Sequence, residues 1–275
     1  MYRVGRTAVS VVIAAHNEAA NLPQLLNEVK DALEGRFTFE IVVVDDGSTD
    51  DTPQVLFSLR SSLPTLRYLR HAKSAGQSLA IVTGIDHAQS ALIATLDGDG
   101  QNDPADLPAM IDLLLQPRFG GRVRMIAGHR TRRQDSWWRL FSSRIANAVR
   151  RRILADGTPD TGCGIKVFYR SVFLQLPRFN HMHRFLPALI VRAGGEVLSM
   201  SVNHRPRLHG RSHYDTLRRL FNGLLDLAGV AWLIHRGAVP QIEMDSEDQH
   251  ERDVLDRLRL PGSDNLHGQV SRAVA

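Results

Sequence analysis

The chain is poor in cysteine and in lysine. Among its 275 residues there is one cysteine, Cys163, and there are three lysines, at positions 30, 73 and 166. A single cysteine excludes an internal disulfide and fits a reducing compartment. Nearly all the positive charge behind the net charge of +5 is therefore arginine, which suits bidentate recognition of phosphate groups. Nucleic acid is not an expected partner, because no nucleic-acid-binding module is visible.

Long apolar runs are also missing. No stretch reaches the roughly 18 to 20 apolar residues of a membrane-spanning helix. The nearest, residues 220–234, is interrupted by Asp226. The apolar residues 8–15 follow two arginines, but they are too few for a secretory signal and run directly into polar HNE. We therefore expect a protein that is not integral to the membrane, with one core.

Short β-rich apolar runs alternate with amphipathic helical stretches, which predicts an α/β domain with a parallel sheet. The expected strands are 8–15, 39–46, 66–71, 92–97 and 122–130. In such sheets ligands bind outside the carboxyl ends of the strands. The polar clusters HNE, DDGSTD and DGDGQ all follow expected strands, so they should meet at one edge. That convergence is the first functional signal.

Two carboxylates one residue apart, Asp97 and Asp99, follow the fourth expected strand. Carboxylates spaced in this way on a turn can converge on one hard cation, and Mg²⁺ or Mn²⁺ commonly binds through one or two carboxylates plus substrate phosphates. An isolated D-x-D is more often an ordinary acidic turn. Its position beside two other polar clusters favours the metal interpretation.

The chain becomes strongly basic after the fifth expected strand, where Asp135 is the only acid between Arg118 and Arg152. Residues 136–153 are predicted to form an amphipathic helix with Trp137 and Trp138. This composition is typical of an interfacial membrane helix, although a core-packing helix with a solvated arginine face fits equally well. Residues 237–275 are acidic and then weakly patterned, and we expect a largely disordered tail there.

Seven motifs occur in order: VVIAAHNE, VVVDDGSTDDT, GQSLAIVTGI, ATLDGDGQNDP, AGHR, DTGCGIKVFYR and NHRPRLHGRSHY. Together they resemble a family 2 glycosyltransferase of the dolichol-phosphate mannose synthase group, the polyprenyl-phosphate glycosyltransferases. The resemblance implies a GT-A α/β fold over residues 1–236, with a mostly parallel central sheet flanked by helices and a basic amphipathic helical segment. A donor half would cover about 8–128 and an acceptor half about 129–236.

The resemblance also implies which residues bind the donor. The metal, Mg²⁺ or Mn²⁺, would bind Asp97, Asp99 and Gln101 and offset charge on the leaving nucleoside diphosphate. The residues implied in nucleotide binding are Asn17, Glu18, Asp45, Asp46, Lys73, Gly76 and Asp97.

The acceptor phosphate would be bound in the second half of the chain. The matching residues are Arg130, Arg139, Ser143, Arg207, Ser212 and His213, and the catalytic set is Asp99, Arg130 and Arg207. His213 stands where the family has lysine, which makes the charge there pH-dependent. Arg205 and Arg211 are expected to compensate. Asp160 and Gly162 match the family's D-x-G segment near the site, while Lys166 is expected to face away.

The activity implied is inverting transfer of one sugar from GDP-mannose or a UDP-sugar to an undecaprenyl- or dolichyl-type phosphate. A lipid monophosphate is largely dianionic at neutral pH, its second pKa being about 6, so no strong general base is required. The protein would lie on the cytoplasmic face of the inner membrane. Two alternatives are a same-fold enzyme acting on a saccharide hydroxyl and a non-catalytic nucleotide-sugar-binding scaffold. Oligomeric state and the identity of the sugar do not follow from the sequence.

Overall fold

The computed structural model describes residues 7–130, 153–154, 156–206 and 216–236, with side chains of the last segment from residue 223. The predicted helix over 136–153 and the predicted tail over 237–275 therefore lie almost wholly outside the described residues. The proposed domain limits stay a prediction.

Four parallel strands form the first half of the sheet, as predicted. They are β1 (Ala8–Ala15), β2 (Thr38–Asp45), β3 (Leu66–Arg70) and β4 (Leu92–Asp97). Strand β1 lies between β2 and β4 and is parallel to both. Its residues Val11, Val12 and Ile13 have no exposed surface, because helices cover both faces of the sheet. This explains why β1 is a continuous apolar run rather than an alternating one.

Helices connect these strands and cover the sheet. They are α1 (Leu22–Leu33), α2 (Thr52–Leu59), α3 (Gln77–His87) and α4 (Leu107–Leu114). Helices α1 and α4 bury their leucines in a core on one face, and α3 packs in a second core on the other. The first three helices were expected from the sequence, and α1 closes at Gly35, whose φ is +81°. No helix had been predicted over α4.

The second half of the sheet is mixed. Strands β5 (Val123–Arg130) and β7 (Glu196–Val202) are parallel to each other, and β6 (Lys166–Tyr169) lies antiparallel between β4 and β5. The sheet order is β3-β2-β1-β4-β6-β5-β7. Because β6 pairs with β4 in the opposite direction, the residues just before β6 lie beside the carboxyl end of β4. That placement brings a segment of the second half into the candidate site.

Three further α-helices follow in the described part of the chain: α5 (Arg170–Leu174), α6 (Leu186–Arg192) and α7 (Thr216–Arg236). Short 3-10 helices lie at Pro104–Asp106, Pro117–Phe119 and Met182–Arg184. Val230 of α7 is 2% exposed and packs in the second core. Asp226, the acid that interrupts the apolar run, lies 2.8 Å from Nδ1 of His181. Trp232 of the same helix is 64% exposed. Among the described helices, none is both long and apolar enough to cross a bilayer.

Candidate active site

The D-x-D turn leaves the sheet at the end of β4 and is closely held by β1. The backbone N–H of Gly98 donates to the carbonyl of Ala14 at 3.2 Å. A Cβ on Gly98 would lie 3.0 Å from that same oxygen, so glycine allows this close approach. Asp99 is 9% exposed, and its Oδ1 accepts from the backbone N–H of Gln101 at 3.2 Å. The three predicted metal ligands therefore share one compact turn.

Asp97 is closely surrounded by groups from distant parts of the chain. Its Oδ1 accepts a hydrogen bond from Nε2 of Gln77 at 2.7 Å. Burial and the neighbouring Asp99 raise the pKa of Asp97 to about 6, while Lys166, Arg130 and Gln77 oppose that rise. Two carboxylates that repel each other in a largely desolvated position form an arrangement that a bound cation would stabilise.

Lys166 lies in this cluster, so the expectation that it faces away from the site is wrong. The residue is 3% exposed, and its Nζ donates to the carbonyl of Cys163. Burial lowers the pKa of the Lys166 ammonium, and its interactions with Cys163 and Asp97 oppose this effect. The antiparallel pairing of β6 with β4 explains the error, because sequence spacing did not indicate that pairing.

The residues of the candidate metal site fit a cation that the protein shares with a bound diphosphate, rather than one enclosed by protein ligands alone. Within the described ranges, no three His, Cys, Asp or Glu side chains are arranged to hold a metal. Asp97 and Asp99 would supply two carboxylates and Gln101 one amide oxygen, all hard ligands of the type that Mg²⁺ and Mn²⁺ prefer. Such a set is incomplete by itself and leaves positions for the oxygens of a diphosphate.

The HNE and DDGSTD clusters meet as predicted, and Asn17 makes much of the contact. Its Oδ1 accepts from the backbone N–H of Thr49 at 2.8 Å, and its own N–H donates to Oγ of Ser48 at 2.9 Å. Asn17 has a positive φ of +58°. The N–H of Glu18 donates to Oγ1 of Thr52 at 3.0 Å. These bonds join the loops after β1 and β2 into one surface.

Asp45, the last residue of β2, stabilises this surface. It has no exposed surface, and its carboxylate accepts from the backbone N–H of Ser48 at 2.8 Å and from the hydroxyl of Tyr68 at 3.1 Å. The guanidinium of Arg70 lies 3.4 Å away. The predicted contact of Asp45 with a nucleotide stays a prediction, and the contacts of its carboxylate hold the loop after β2.

Asp46 holds the segment that follows β3. Its two carboxylate oxygens accept hydrogen bonds of 2.7 to 2.8 Å from His71 Nδ1, Ser74 Oγ, and the backbone N–H groups of Ala75 and Gly76. Burial by itself would raise the pKa of Asp46, but these donors outweigh it and lower the pKa.

The segment that Asp46 holds presents two predicted nucleotide-binding residues. Lys73 is exposed, and Gly76 precedes α3 with a φ of +96°. Gly47 lies against this segment, and a Cβ there would approach the backbone N of Ser74 to 2.6 Å. The segment is thus placed beside the D-x-D turn, since Gln77 at the start of α3 reaches Asp97.

Arg130, predicted to contact the acceptor, is held in place by Asp160. Its Nε and Nη2 donate to the two carboxylate oxygens at 2.6 and 2.8 Å, and the Arg130 side chain is 14% exposed. Burial by itself lowers the pKa of Arg130, whereas Asp160 raises it, with a raised pKa as the result. The predicted placement of the D-x-G segment near the site is consistent with this contact. The other predicted acceptor residues, Arg139, Ser143, Arg207, Ser212 and His213, lie outside the described residues, as does Arg211.

The expectation that Arg205 supplies charge in place of the missing lysine stays a prediction; the structure describes the contacts of Arg205 itself. Its guanidinium is bound by two acids, Glu28 and Asp103, each at 2.6 Å. Arg205 also lines a cavity of about 190 Å³ beside Asp99 and Gly100. Asn21, which precedes α1, and Gln24 and Glu28 in its first two turns also line the cavity.

Sequence reasoning missed His71 as a member of the site, placed Lys166 outside it, and did not predict the contacts of Arg205 with Glu28 and Asp103. His71 carried a usable signal, because it directly follows β3 at the same edge of the sheet as the other polar clusters. Lys166 and Arg205 depend on pairings between distant segments. Such pairings leave no local pattern in the sequence.

The sequence matches one protein family and is similar to named bacterial enzymes. The family model for glycosyl transferase family 2 matches residues 10–176. The dodecaprenyl-phosphate galacturonate synthase of Rhizobium johnstonii is 34% identical over 240 residues, which are 84% of this chain and 69% of that protein. The undecaprenyl-phosphate 4-deoxy-4-formamido-L-arabinose transferase of Pseudomonas aeruginosa is 33% identical over 80% of this chain. Of that transferase's own length the chain spans 63%.

Two solved structures share the fold at low identity. A mannosyltransferase from Pyrobaculum calidifontis, in complex with GDP-Man and Mn²⁺, superposes with a TM-score of 0.64 at 20% identity, over 86% of this chain and 67% of that one. The glucosyl-3-phosphoglycerate synthase of Mycobacterium tuberculosis gives 0.59 at 19% identity, over 86% of this chain and 82% of that one. The predicted GT-A fold is confirmed, and the chain belongs to glycosyl transferase family 2.

Proposed function

We propose that this protein transfers one sugar from a nucleotide-sugar to a polyprenyl phosphate, with a divalent cation. The observation that carries the proposal is the repelling pair Asp97 and Asp99 at the carboxyl edge of the sheet, with Lys166 and Arg130 close enough to affect the pKa of Asp97. Carboxylates and cations interleaved in this way suit a site that binds a metal and phosphates together. The similarity to two bacterial polyprenyl-phosphate sugar enzymes supports the choice of acceptor.

The donor would bind at the surface formed by the loops after β1, β2 and β3. Asn17, Glu18, Asp46 and Lys73 belong to these loops, and their amide, carboxylate and ammonium groups can bind a base, a ribose and phosphates. A GDP- or UDP-linked sugar is the donor class that we infer. Mg²⁺ or Mn²⁺ at Asp97, Asp99 and Gln101 would supply Lewis-acid stabilisation of the departing diphosphate.

The acceptor requires positioning more than activation. Because a lipid monophosphate is mostly dianionic at neutral pH, with a second pKa of about 6, its oxygen can attack the anomeric carbon directly. Arginines then need only orient that oxygen in line with the leaving group. Arg130 is pre-oriented by its two hydrogen bonds to Asp160, and Arg139, Ser143, Arg207, Ser212 and His213 complete the proposed acceptor site. Direct displacement would invert the configuration of the sugar.

The lipid acceptor also requires contact with a membrane, which we place on the cytoplasmic face of the inner membrane. Helix α7 exposes Leu224 and Leu225, each 56%, and Trp232, 64%, close to Arg236 at its end. Tryptophan and leucine with nearby basic groups are typical of helices that lie in the membrane interface. The helix also packs against the body of the protein through Val230, so membrane contact would place the rest of the domain close to the lipid phosphate.

A transfer assay tests the proposal. The protein is incubated with Mn²⁺, undecaprenyl phosphate and, in turn, radiolabelled GDP-mannose and a panel of UDP-sugars. We expect label to enter the organic phase with one donor, and Asp99→Asn to abolish this while leaving the circular dichroism spectrum unchanged. Retained transfer in excess EDTA would contradict metal dependence. Tight nucleotide binding with no transfer from any donor would refute the enzymatic proposal.

A further inference from the structure

The segment that follows β7 is paired with the D-x-D turn. The backbone N–H of Arg205 donates to the carbonyl of Gln101 at 2.9 Å, and Nε2 of Gln101 reaches the carbonyl of Arg205 at 3.5 Å. One residue earlier, His204 forms an antiparallel bridge with Asn102. Two segments about a hundred residues apart in sequence thus share a short stretch of β-type pairing, which includes a proposed metal ligand.

The side chain of Arg205 strengthens this pairing. Its Nη1 donates to Oε2 of Glu28 on α1, and its Nη2 donates to Oδ1 of Asp103 just after the turn, both at 2.6 Å. Exposure of the three side chains is 34% for Arg205, 28% for Glu28 and 15% for Asp103. Partly buried pairs with two-point geometry are worth more than exposed ones. The guanidinium therefore joins three separate elements.

The position of these contacts connects them to the site. Asp103 Oδ1 also accepts from the backbone N–H of Ala105 and so caps the turn that follows. The cavity beside Asp99 has Arg205 and Pro206 in its wall. The chain then continues directly to Arg207, the first residue of the proposed acceptor loop. The Arg205 side chain can therefore influence both the D-x-D turn and the start of the proposed acceptor loop.

We propose that Arg205 is a positioning residue, which holds the segment of residues 203–206 against residues 100–103 and so sets the geometry of the D-x-D turn. Without its two-point contact, the segment would keep the bridge of His204 with Asn102 and the hydrogen bond from the N–H of Asn203 to Oδ2 of Asp106 at 2.8 Å, neither of which reaches α1. The catalytic consequence rests on the proposed glycosyl transfer, whereas the effect on the turn does not.

The variant Arg205→Lys tests whether the two-point geometry of the Arg205 contacts matters, rather than the positive charge of the side chain. Lysine keeps the positive charge but replaces a planar fork with one ammonium group, which cannot reproduce both contacts in the same geometry. Arg36→Lys is the matched control, because Arg36 also donates to an aspartate, Asp112, at 2.6 Å and lies near the far end of α1. That pair is more than half exposed, with side chains at 55% and 54%.

Hydrogen exchange at the backbone amides of residues 100–103, 105 and 106, on protein without metal or donor, is the first measurement. We expect exchange in Arg205→Lys to be about tenfold faster than in the wild type, because the local opening free energy falls. Arg36→Lys should leave it unchanged. Equal exchange in wild type and Arg205→Lys would overturn the proposal, whatever the activity.

Transfer to undecaprenyl phosphate is the second measurement. We expect Arg205→Lys to lower kcat/KM for transfer by roughly tenfold or more, as a small misplacement of reacting groups does. Arg36→Lys should match the wild type. If the wild type transfers no sugar, the proposed function fails. The exchange result then still decides whether Arg205 holds the D-x-D turn in place. Faster exchange with unchanged transfer would overturn the catalytic part of the proposal.

Discussion

The Nδ1 atom of His71 lies 2.7 Å from Oδ1 of Asp46, and the other ring nitrogen of His71 lies 3.0 Å from Oγ1 of Thr83. His71 therefore joins the end of β2 to the middle of α3. Together with the bonds from Ser74, Ala75 and Gly76 to the same carboxylate, this fixes the loop that carries Lys73. One buried aspartate organises much of the proposed donor surface.

Asp46→Asn should destabilise the protein substantially. Asparagine would place an amide N–H₂ group where the carboxylate now accepts two hydrogen bonds, leaving donors facing donors. Hydrogen bonds to charged groups contribute about 1.5–3 kcal/mol each, so we expect a loss of that order in the free energy of unfolding. Urea denaturation measures it. Asp86→Asn is the control, since its pair with Arg178 is partly exposed and should cost no more than about 1 kcal/mol. Equal losses in both variants would contradict the role of Asp46.

The same carboxylate should make stability depend on pH. Its pKa is lowered in the folded protein, whereas an unfolded aspartate has a pKa of about 3.9. The folded state therefore binds this proton less readily, and the stabilisation is fully present above the unfolded pKa and is lost as pH falls through the folded one. The stability difference between wild type and Asp46→Asn should shrink in acid. Urea titrations from neutral pH to about pH 3 test this, and a constant difference would contradict it.

The first half of the site could be predicted from the sequence because its signals are local. Strands β1, β2 and β4 are continuous apolar runs that end directly in HNE, DDGSTD and DGDGQ. Parallel neighbours necessarily bring those ends to one edge. The contacts of Asn17 with Ser48 and Thr49 confirm that the first two clusters meet.

The second half could not be predicted in the same way. Strand β6 has only four residues and pairs antiparallel with β4, a long-range choice that no period in the sequence reveals. That pairing places Lys166 near Asp97 and makes Thr95 donate to the carbonyl of Gly164 at 2.8 Å. Similarly, nothing local indicates that Arg205 would meet Glu28. The error at Lys166 and the unpredicted contacts of Arg205 have this common cause.

Gly164→Ala should impair metal binding without unfolding the protein. A Cβ at Gly164 would overlap the carboxylate of Asp97, so Asp97 or the segment before β6 must move. Displacing a reacting or ligating group by about 1 Å can cost about 10²-fold in rate, and we expect a loss of that order in kcat/KM for transfer. Calorimetric titration with Mn²⁺ and a nucleoside diphosphate should show weaker binding.

Gly223→Ala is the control for that experiment, because a Cβ at Gly223 meets no atom within 4 Å. It should bind Mn²⁺ and transfer sugar like the wild type. Circular dichroism distinguishes local displacement from loss of fold. Normal Mn²⁺ binding by a folded Gly164→Ala variant would contradict the prediction that Mn²⁺ binding depends on the position of the Asp97 carboxylate.

The exposed face of α7 should bind anionic membranes. Leu225 and Trp232 lie seven positions apart in the helix, so they share one face. Burying a large apolar side chain contributes about 1.5–3 kcal/mol. We therefore expect Leu225→Glu and Trp232→Ala each to lower the partition coefficient onto phosphatidylglycerol-containing vesicles by roughly tenfold, measured by co-sedimentation. Phe57→Glu is the control, since Phe57 is 70% exposed on α2 and should not alter binding. Equal partition of all three variants and the wild type would exclude α7 as the membrane contact, and a loss confined to Phe57→Glu would move that contact to α2.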